Sequence, residues 1–185
     1  CLVIGPAFGL GALYKTYLDA ALAAPQRCPC VLDADALTLL APLERKLDPR
    51  DVLTPHLGEF KRLFPDLPIV DRIAAVRTAA ARASAIVLLK GPDTLIAHPD
   101  GRVVINSTGS PHLATAGSGD VLAGLIAGLI GQGMGAFAAA AAGAWLHGKC
   151  GEALGPGLIA EDLPEILPSI LKALAKDSGA GDRVG

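Results

Sequence analysis

From Val121 to Leu146 no residue carries a charge, and a chain cannot leave so long an apolar run in water. Such a run either crosses a membrane or is buried between layers of protein. Gly131-Gln132-Gly133-Met134-Gly135 divides it into two pieces, each too short to span a bilayer. The pieces are rich in Ala and Gly rather than Leu and Phe, and no basic flank sets an orientation. The run therefore reads as two buried helices joined by a glycine turn, and two buried helices need a second layer to cover them.

The rest of the chain supplies that layer. Leu2–Ile4, Val31–Asp33 and Val52–Thr54 read as short strands, with a helix over roughly Leu13–Ala23 and another behind an N-cap at Asp71, where Ile73, Val76, Ala80 and Ala83 keep helical spacing. Ile86-Val87-Leu88-Leu89 is unbroken apolar sequence, as expected of a central parallel strand covered on both faces. Thr94–Ala97 and Arg102–Asn106 flank Pro99-Asp100-Gly101, a hairpin signal. Helices follow over about Gly119–Ile130, Ala136–Leu154 and Asp162–Lys176, and the Gly- and Ser-rich tail from Asp177 is expected to be flexible. Strand–helix alternation with a helical C-terminal third predicts one α/β domain over residues 1–176 with a mainly parallel central sheet flanked by helices. The chain opens on a buried-strand pattern with no initiator Met, so its N-terminal part is expected to be incomplete.

Composition narrows the partners. A formal net charge of −2 and the lack of any Lys/Arg-rich run leave no electrostatic footprint for nucleic acid, and no membrane span is expected. An anionic ligand would have to be held locally, by helix N-termini and glycine loops. Cys1, Cys28, Cys30 and Cys150 do not form a CxxC pair or stand at metal-ligand spacing, so reduced thiols in a cytoplasmic protein are expected. The Ala- and Gly-rich helices suggest close packing against another helix and self-association into a homo-oligomer.

In α/β sheets ligands bind beyond the carboxyl ends of the strands, and the polar residues gather there: Asp33 and Asp35, His56 and Glu59, Lys90, and Asn106. The strongest segment is Thr115-Ala116-Gly117-Ser118-Gly119-Asp120, which runs straight into an apolar helix. Small residues let backbone N–H groups approach a phosphate, and the helix N-terminus favours negative charge. An Asp placed beside that charge makes sense as a base that deprotonates a hydroxyl in line with a terminal phosphate; the plainer alternative is an N-capping Asp after a flexible loop. Lys90-Gly91-Pro92-Asp93-Thr94 offers a cation and a close-approach Gly, or is a solvated turn. Asp33 and Asp35 would point to one side if their strand continued; they could share a substrate or hydrated Mg²⁺, or cap the next helix. Glu59 is either part of a water network around a metal or a first-turn helix carboxylate. His147, in an Ala-rich helix, reads as a core or subunit-contact residue.

Taken together, these segments resemble the ADP/ATP-dependent NAD(P)H-hydrate dehydratase family, a branch of the ribokinase-like superfamily. The matching pieces, in order, are Gly5-Pro6-Ala7-Phe8-Gly9, Val31–Leu37, Leu53–Phe60, Lys90–Thr94, Pro99-Asp100-Gly101, Asn106–Gly109 and Ala114–Asp120. The resemblance implies a ribokinase-like fold and repair of hydrated NADH or NADPH (NADHX, NADPHX), with ADP or ATP and Mg²⁺ used to phosphorylate the ring hydroxyl before phosphate is eliminated. It implies that Asp120 is the base and contacts substrate, and that Lys90, Gly91, Pro92, Asp93, Thr94, Ala116, Gly117, Ser118 and Gly119 hold the adenine nucleotide. Gly9, His56, Asp35 and Asn106 are its candidate substrate contacts, Glu59 its candidate metal contact through water, and an NAD(P)H-hydrate epimerase its companion, fused or separate. Ala7-Phe8 stands where the family has Gly-Leu, and Ala116 where Gly is common. The competing readings are a small-molecule kinase of the same superfamily and a non-catalytic nucleotide-binding protein.

Overall fold

In the computed structural model, which describes residues 1–177, the run Ile86–Leu89 forms β4 and all four of its residues are buried. Its side chains alternate between two cores, as the pleat of a strand requires. Val87 and Leu89 join Cys30, Leu32, Leu53, Phe60, Leu63 and Val76 on one face, whereas Ile86 and Leu88 join Val31, Val52, Leu122, Ile126 and Ala140 on the other.

Six strands make one sheet: β1 (Leu2–Ile4), β2 (Cys30–Leu32), β3 (Val52–Leu53), β4, β5 (Thr94–Ala97) and β6 (Val103–Asn106). They lie side by side in chain order; β1 to β4 are parallel, and β5 and β6 add an antiparallel hairpin. The intervening helices are α1 (Ala12–Ala23), α2 (Ala34–Leu40), α3 (Leu57–Leu63) and α4 (Arg72–Ala83), and the last three bury their apolar sides in the first core. Asp71 caps α4 as the sequence predicts, its carboxylate accepting from Ala74 N at 3.0 Å.

The charge-free run becomes α5 (Ser118–Gly131) and α6 (Ala136–Leu154), packed on the other face of the sheet. Among the described residues no helix is long and apolar enough to cross a membrane. The small residues of α6 are used inside the chain: a Cβ on Gly143 would stand 2.7 Å from Ile126 Cγ1 of α5, and one on Gly148 would stand 2.3 Å from Thr108 Oγ1. These glycines of α6 thus serve packing within the chain. Helix α7 spans Asp162–Asp177, so the expected tail overlaps the end of a helix at Asp177; the rest of that tail, 178–185, lies outside the described residues.

At the amino ends of β2 and β3 a buried ion pair ties the sheet together. Asp51 accepts from Arg27 Nη1 and Nη2 at 2.7 and 2.5 Å, from Cys30 N at 3.0 Å and from Asp48 N at 3.1 Å. This pairing holds the Arg27 guanidinium above its ordinary pKa, and burial pushes the neighbouring Cys30 thiol up to about 11, which leaves it unreactive. At the opposite edge, the in-register parallel strands all release their chains on one side. Gly5, Asp33, Thr54 and Lys90 each follow a strand end there.

Candidate active site

Helix α5 begins at that edge. Gly117 precedes it in a left-handed conformation (φ 82°) that disfavours any side chain. Among the described residues the backbone N–H groups of Ala116, Gly117, Gly119 and Asp120 have no acceptor, whereas Ser118 N is turned back to Thr115 O. Four free donors at the positive end of a 14-residue helix form a cradle for an anion. Asp120 is exposed in the first turn, and its carboxylate has no partner among the described residues. It does not cap the helix: the N-cap is Gly117, with no side-chain cap bond.

Ser118 contributes to the cradle from behind. Its side chain is buried, and its Oγ and carbonyl oxygen lie 2.9 and 3.0 Å from His147 Nε2. Burial lowers the His147 pKa, so a neutral imidazole from α6 pins the first turn of α5. His147 is thus a core residue, and Ser118, expected as a nucleotide contact, has its side chain, carbonyl and N–H all engaged within the chain, so it shapes the cradle while its neighbours supply the free donors.

Lys90 reaches the same turn from the end of β4. Its Nζ donates to Asp33 Oδ1 at 2.9 Å, and a Cβ on Gly119 would stand 3.2 Å from Lys90 Nζ and 3.7 Å from Asp33 Oδ2. Asp33 and Asp35 do not share a side, because β2 stops at Leu32 and α2 begins at Ala34. Asp35 instead accepts from Gly9 N at 2.8 Å, which fixes the first glycine turn. In that turn Ala7 adopts φ 52°, the left-handed region that suits the family's Gly.

The loop after Lys90 has a partner that sequence reading missed. Arg72, in the first turn of α4, pairs with the Asp93 carboxylate, donates to Asp93 O at 3.0 Å and lies over Gly91. Beside the Asp71 cap it looks like an ordinary solvated helix charge, so only the fold reveals it. Pro92 lies exposed in this loop, and Thr94 Oγ1 donates to Gly91 O at 3.3 Å.

Two candidates are occupied by structure. Asn106 is buried and donates to Thr108 O and Ala144 O, while its Oδ1 accepts from Thr108 Oγ1, so the amide links β6 to α6 instead of facing a substrate. His56 and Glu59 form a capping box: His56 Nδ1 accepts from Gly58 N and Glu59 N, and Glu59 Oε2 accepts from His56 N at 2.8 Å. Glu59 is buried in that role, whereas His56 is exposed at the site's edge, its Nε2 3.6 Å from Glu59 Oε1. Replacing Glu59 with Ala is expected to cost about 1 kcal/mol, read as a lower urea midpoint at unchanged slope; a variant as stable as wild type would free Glu59 for another task.

Comparison with known proteins places this geometry. Residues 1–171 match the family model described as NAD(P)H-hydrate dehydratase. The bifunctional NAD(P)H-hydrate repair enzyme of Gloeobacter violaceus is 47% identical over 154 residues, which cover 82% of this chain and 30% of that protein. The ADP-dependent (S)-NAD(P)H-hydrate dehydratase of Neisseria meningitidis is 42% identical over 160 residues, covering 82% and 54%. Among solved structures, the ADP/ATP-dependent NAD(P)H-hydrate dehydratase of Bacillus subtilis, co-crystallised with ATP and Mg²⁺, superposes with a TM-score of 0.81 at 33% identity, covering 92% of this chain and 63% of that one. The chain thus spans about a third to two thirds of the length of these relatives. Their layering is that of ribokinase-like proteins, and the sheet, the cradle and the family match converge on one assignment: this chain belongs to the NAD(P)H-hydrate dehydratase family.

Proposed function

We propose that the site carries out nucleotide-dependent dehydration of hydrated NADH or NADPH. The observation that carries this reading is the cradle of free N–H groups at residues 116, 117, 119 and 120, with an unpartnered carboxylate on Asp120 beside it. Asp120 takes the proton of the ring hydroxyl, whose oxygen then attacks the terminal phosphorus of ADP or ATP as the bond from that phosphorus to the bridging oxygen breaks, releasing AMP or ADP. The nucleotide lies against Lys90–Thr94 and the 116–119 backbone, and the donors there stabilise charge building on the phosphate oxygens. The phosphorylated oxygen then departs with its bonding electrons as the ring nitrogen donates its lone pair, and loss of a ring proton restores the dihydronicotinamide. Gly9 and His56, at the rim, are the contacts for the hydrated dinucleotide, and Asp35 acts through Gly9.

The carboxylates present suit a magnesium ion that arrives with the nucleotide. No group of three His, Cys, Asp or Glu side chains that could hold a metal occurs among the described residues, but Mg²⁺ keeps several waters and takes phosphate oxygens alongside one or two carboxylates. Asp120 is the unpaired carboxylate at the cradle, while Asp33 is paired and Asp35 bonded. When bound, the ion would neutralise phosphate charge; the proton transfer remains with Asp120. A cytoplasmic setting, which accords with four free thiols, and a companion epimerase complete the proposal.

The test is to supply hydrated NADH, nucleotide and Mg²⁺. Recovery of NADH with release of phosphate supports dehydration; a stable phosphorylated product would indicate a kinase, and binding without turnover a non-catalytic protein. Lys90→Ala is expected to weaken ADP binding by about 10- to 100-fold, the worth of one charge-assisted hydrogen bond. Unchanged affinity by calorimetry would remove Lys90 from the nucleotide site.

A further inference from the structure

Asp33 is almost wholly buried, at 1% exposure, and stands at the N-cap of α2, yet its side chain caps nothing. Its Oδ1 accepts from Lys90 Nζ, 57 positions away in sequence. A carboxylate withdrawn from water is tolerated only when paired, and Lys90 is the one cation that Asp33 meets among the described residues. The backbone of Asp33 is fixed on both sides: its N–H donates to Ile4 O, its carbonyl accepts from Ala36 N, and Gly5 lies so close that a Cβ would stand 1.7 Å from that carbonyl oxygen. Lys90 has no such restraint on its side chain. Its ammonium sits on a flexible four-carbon stem and makes no other hydrogen bond among the described residues. The rigid partner therefore directs the mobile one.

We propose that Asp33 is a positioning residue for the phosphoryl step, holding the Lys90 ammonium beside Gly119 at the mouth of the α5 cradle; the proposal rests on the dehydratase reading of that site. The pair's placement separates two effects. In the transfer step, charge shifts onto phosphate oxygens, and a cation already in place stabilises it without reorganising. In simple binding, the polyphosphate attracts a free ammonium as well as a fixed one, while the Asp33 carboxylate repels it. Asp33 thus acts on kcat more than on nucleotide affinity.

The experiment compares Asp33→Asn, Lys90→Met and the double variant in the full chain, with kcat measured by NADH recovery and ADP affinity by calorimetry. Asp33→Asn is expected to lower kcat by roughly 10- to 100-fold while ADP affinity stays the same or tightens. Adding it to Lys90→Met should cost nothing further, because Asp33 works through Lys90. Multiplying losses in the double variant, or an Asp33→Asn protein with wild-type kcat, would overturn the proposal. Should Asp33→Asn fail to fold, the other two variants decide: the double variant, freed of the unpaired buried carboxylate, should melt higher than Lys90→Met and match its kcat, and a lower kcat would overturn the assignment. A wild-type protein that recovers no NADH overturns the dehydratase reading and this proposal with it, whereas an active wild type with an indifferent Asp33 overturns the positioning role alone.

Discussion

Replacing Asp120 with Asn is expected to lower turnover by about 10²- to 10⁴-fold, with ADP affinity close to wild type. Asn has the same shape and keeps the first turn of α5, but it cannot accept the hydroxyl proton. The structure makes this substitution unusually clean. Asp120 is exposed and its carboxylate binds nothing among the described residues, so no internal bond is lost with the charge. The remaining structural effect is the loss of a carboxylate near a helix N-terminus, worth about 0.3–1 kcal/mol of stability. A steep loss of kcat at a nearly unchanged melting temperature is therefore the expected signature. Wild-type turnover in Asp120→Asn would remove this residue from the mechanism while leaving the anion cradle in place.

The largest expected effect on stability lies at the other end of the sheet. Asp51→Ala should destabilise the protein by about 3–5 kcal/mol, because one change strands a buried guanidinium. It also leaves the N–H groups of Cys30 and Asp48 without their acceptor. Domains of this kind have only about 5–15 kcal/mol in all, so the loss should show as a large drop in urea midpoint. A change under about 1 kcal/mol would put the Arg27–Asp51 pair among the surface ion pairs of little worth, against its depth in the structure. Loss of activity in this variant should follow its unfolding and vanish under conditions where it stays folded.

Much of the architecture could be read along the chain because the signals are local. The apolar run at Ile86–Leu89 is a strand buried on both faces, the charge-free run divides at its glycines into α5 and α6, and Asp71 caps α4. The same local reading erred where a short strand meets a short helix. Asp33 and Asp35 fit one face of a continuing strand equally well, and only the turn into α2 at Ala34 sends one carboxylate to Lys90 and the other to Gly9. Asn106 and Glu59 looked available because polar residues at strand ends often serve ligands. In the fold, their hydrogen-bonding groups are taken up by Thr108, Ala144 and the His56 backbone.

The sequence alone determined the layered α/β class, the glycine-lined entry to α5 and the presence of an acid at its first turn, since periodicity, glycine placement and helix polarity depend on residues within a few positions of one another. The tertiary structure decided which charges meet. Pairings such as Asp33 with Lys90, Arg72 with Asp93, and His147 with Ser118 join segments 21 to 57 residues apart. Nothing in local spacing encodes them; they exist because parallel strands deliver their ends to one edge of a sheet and two helices close over it.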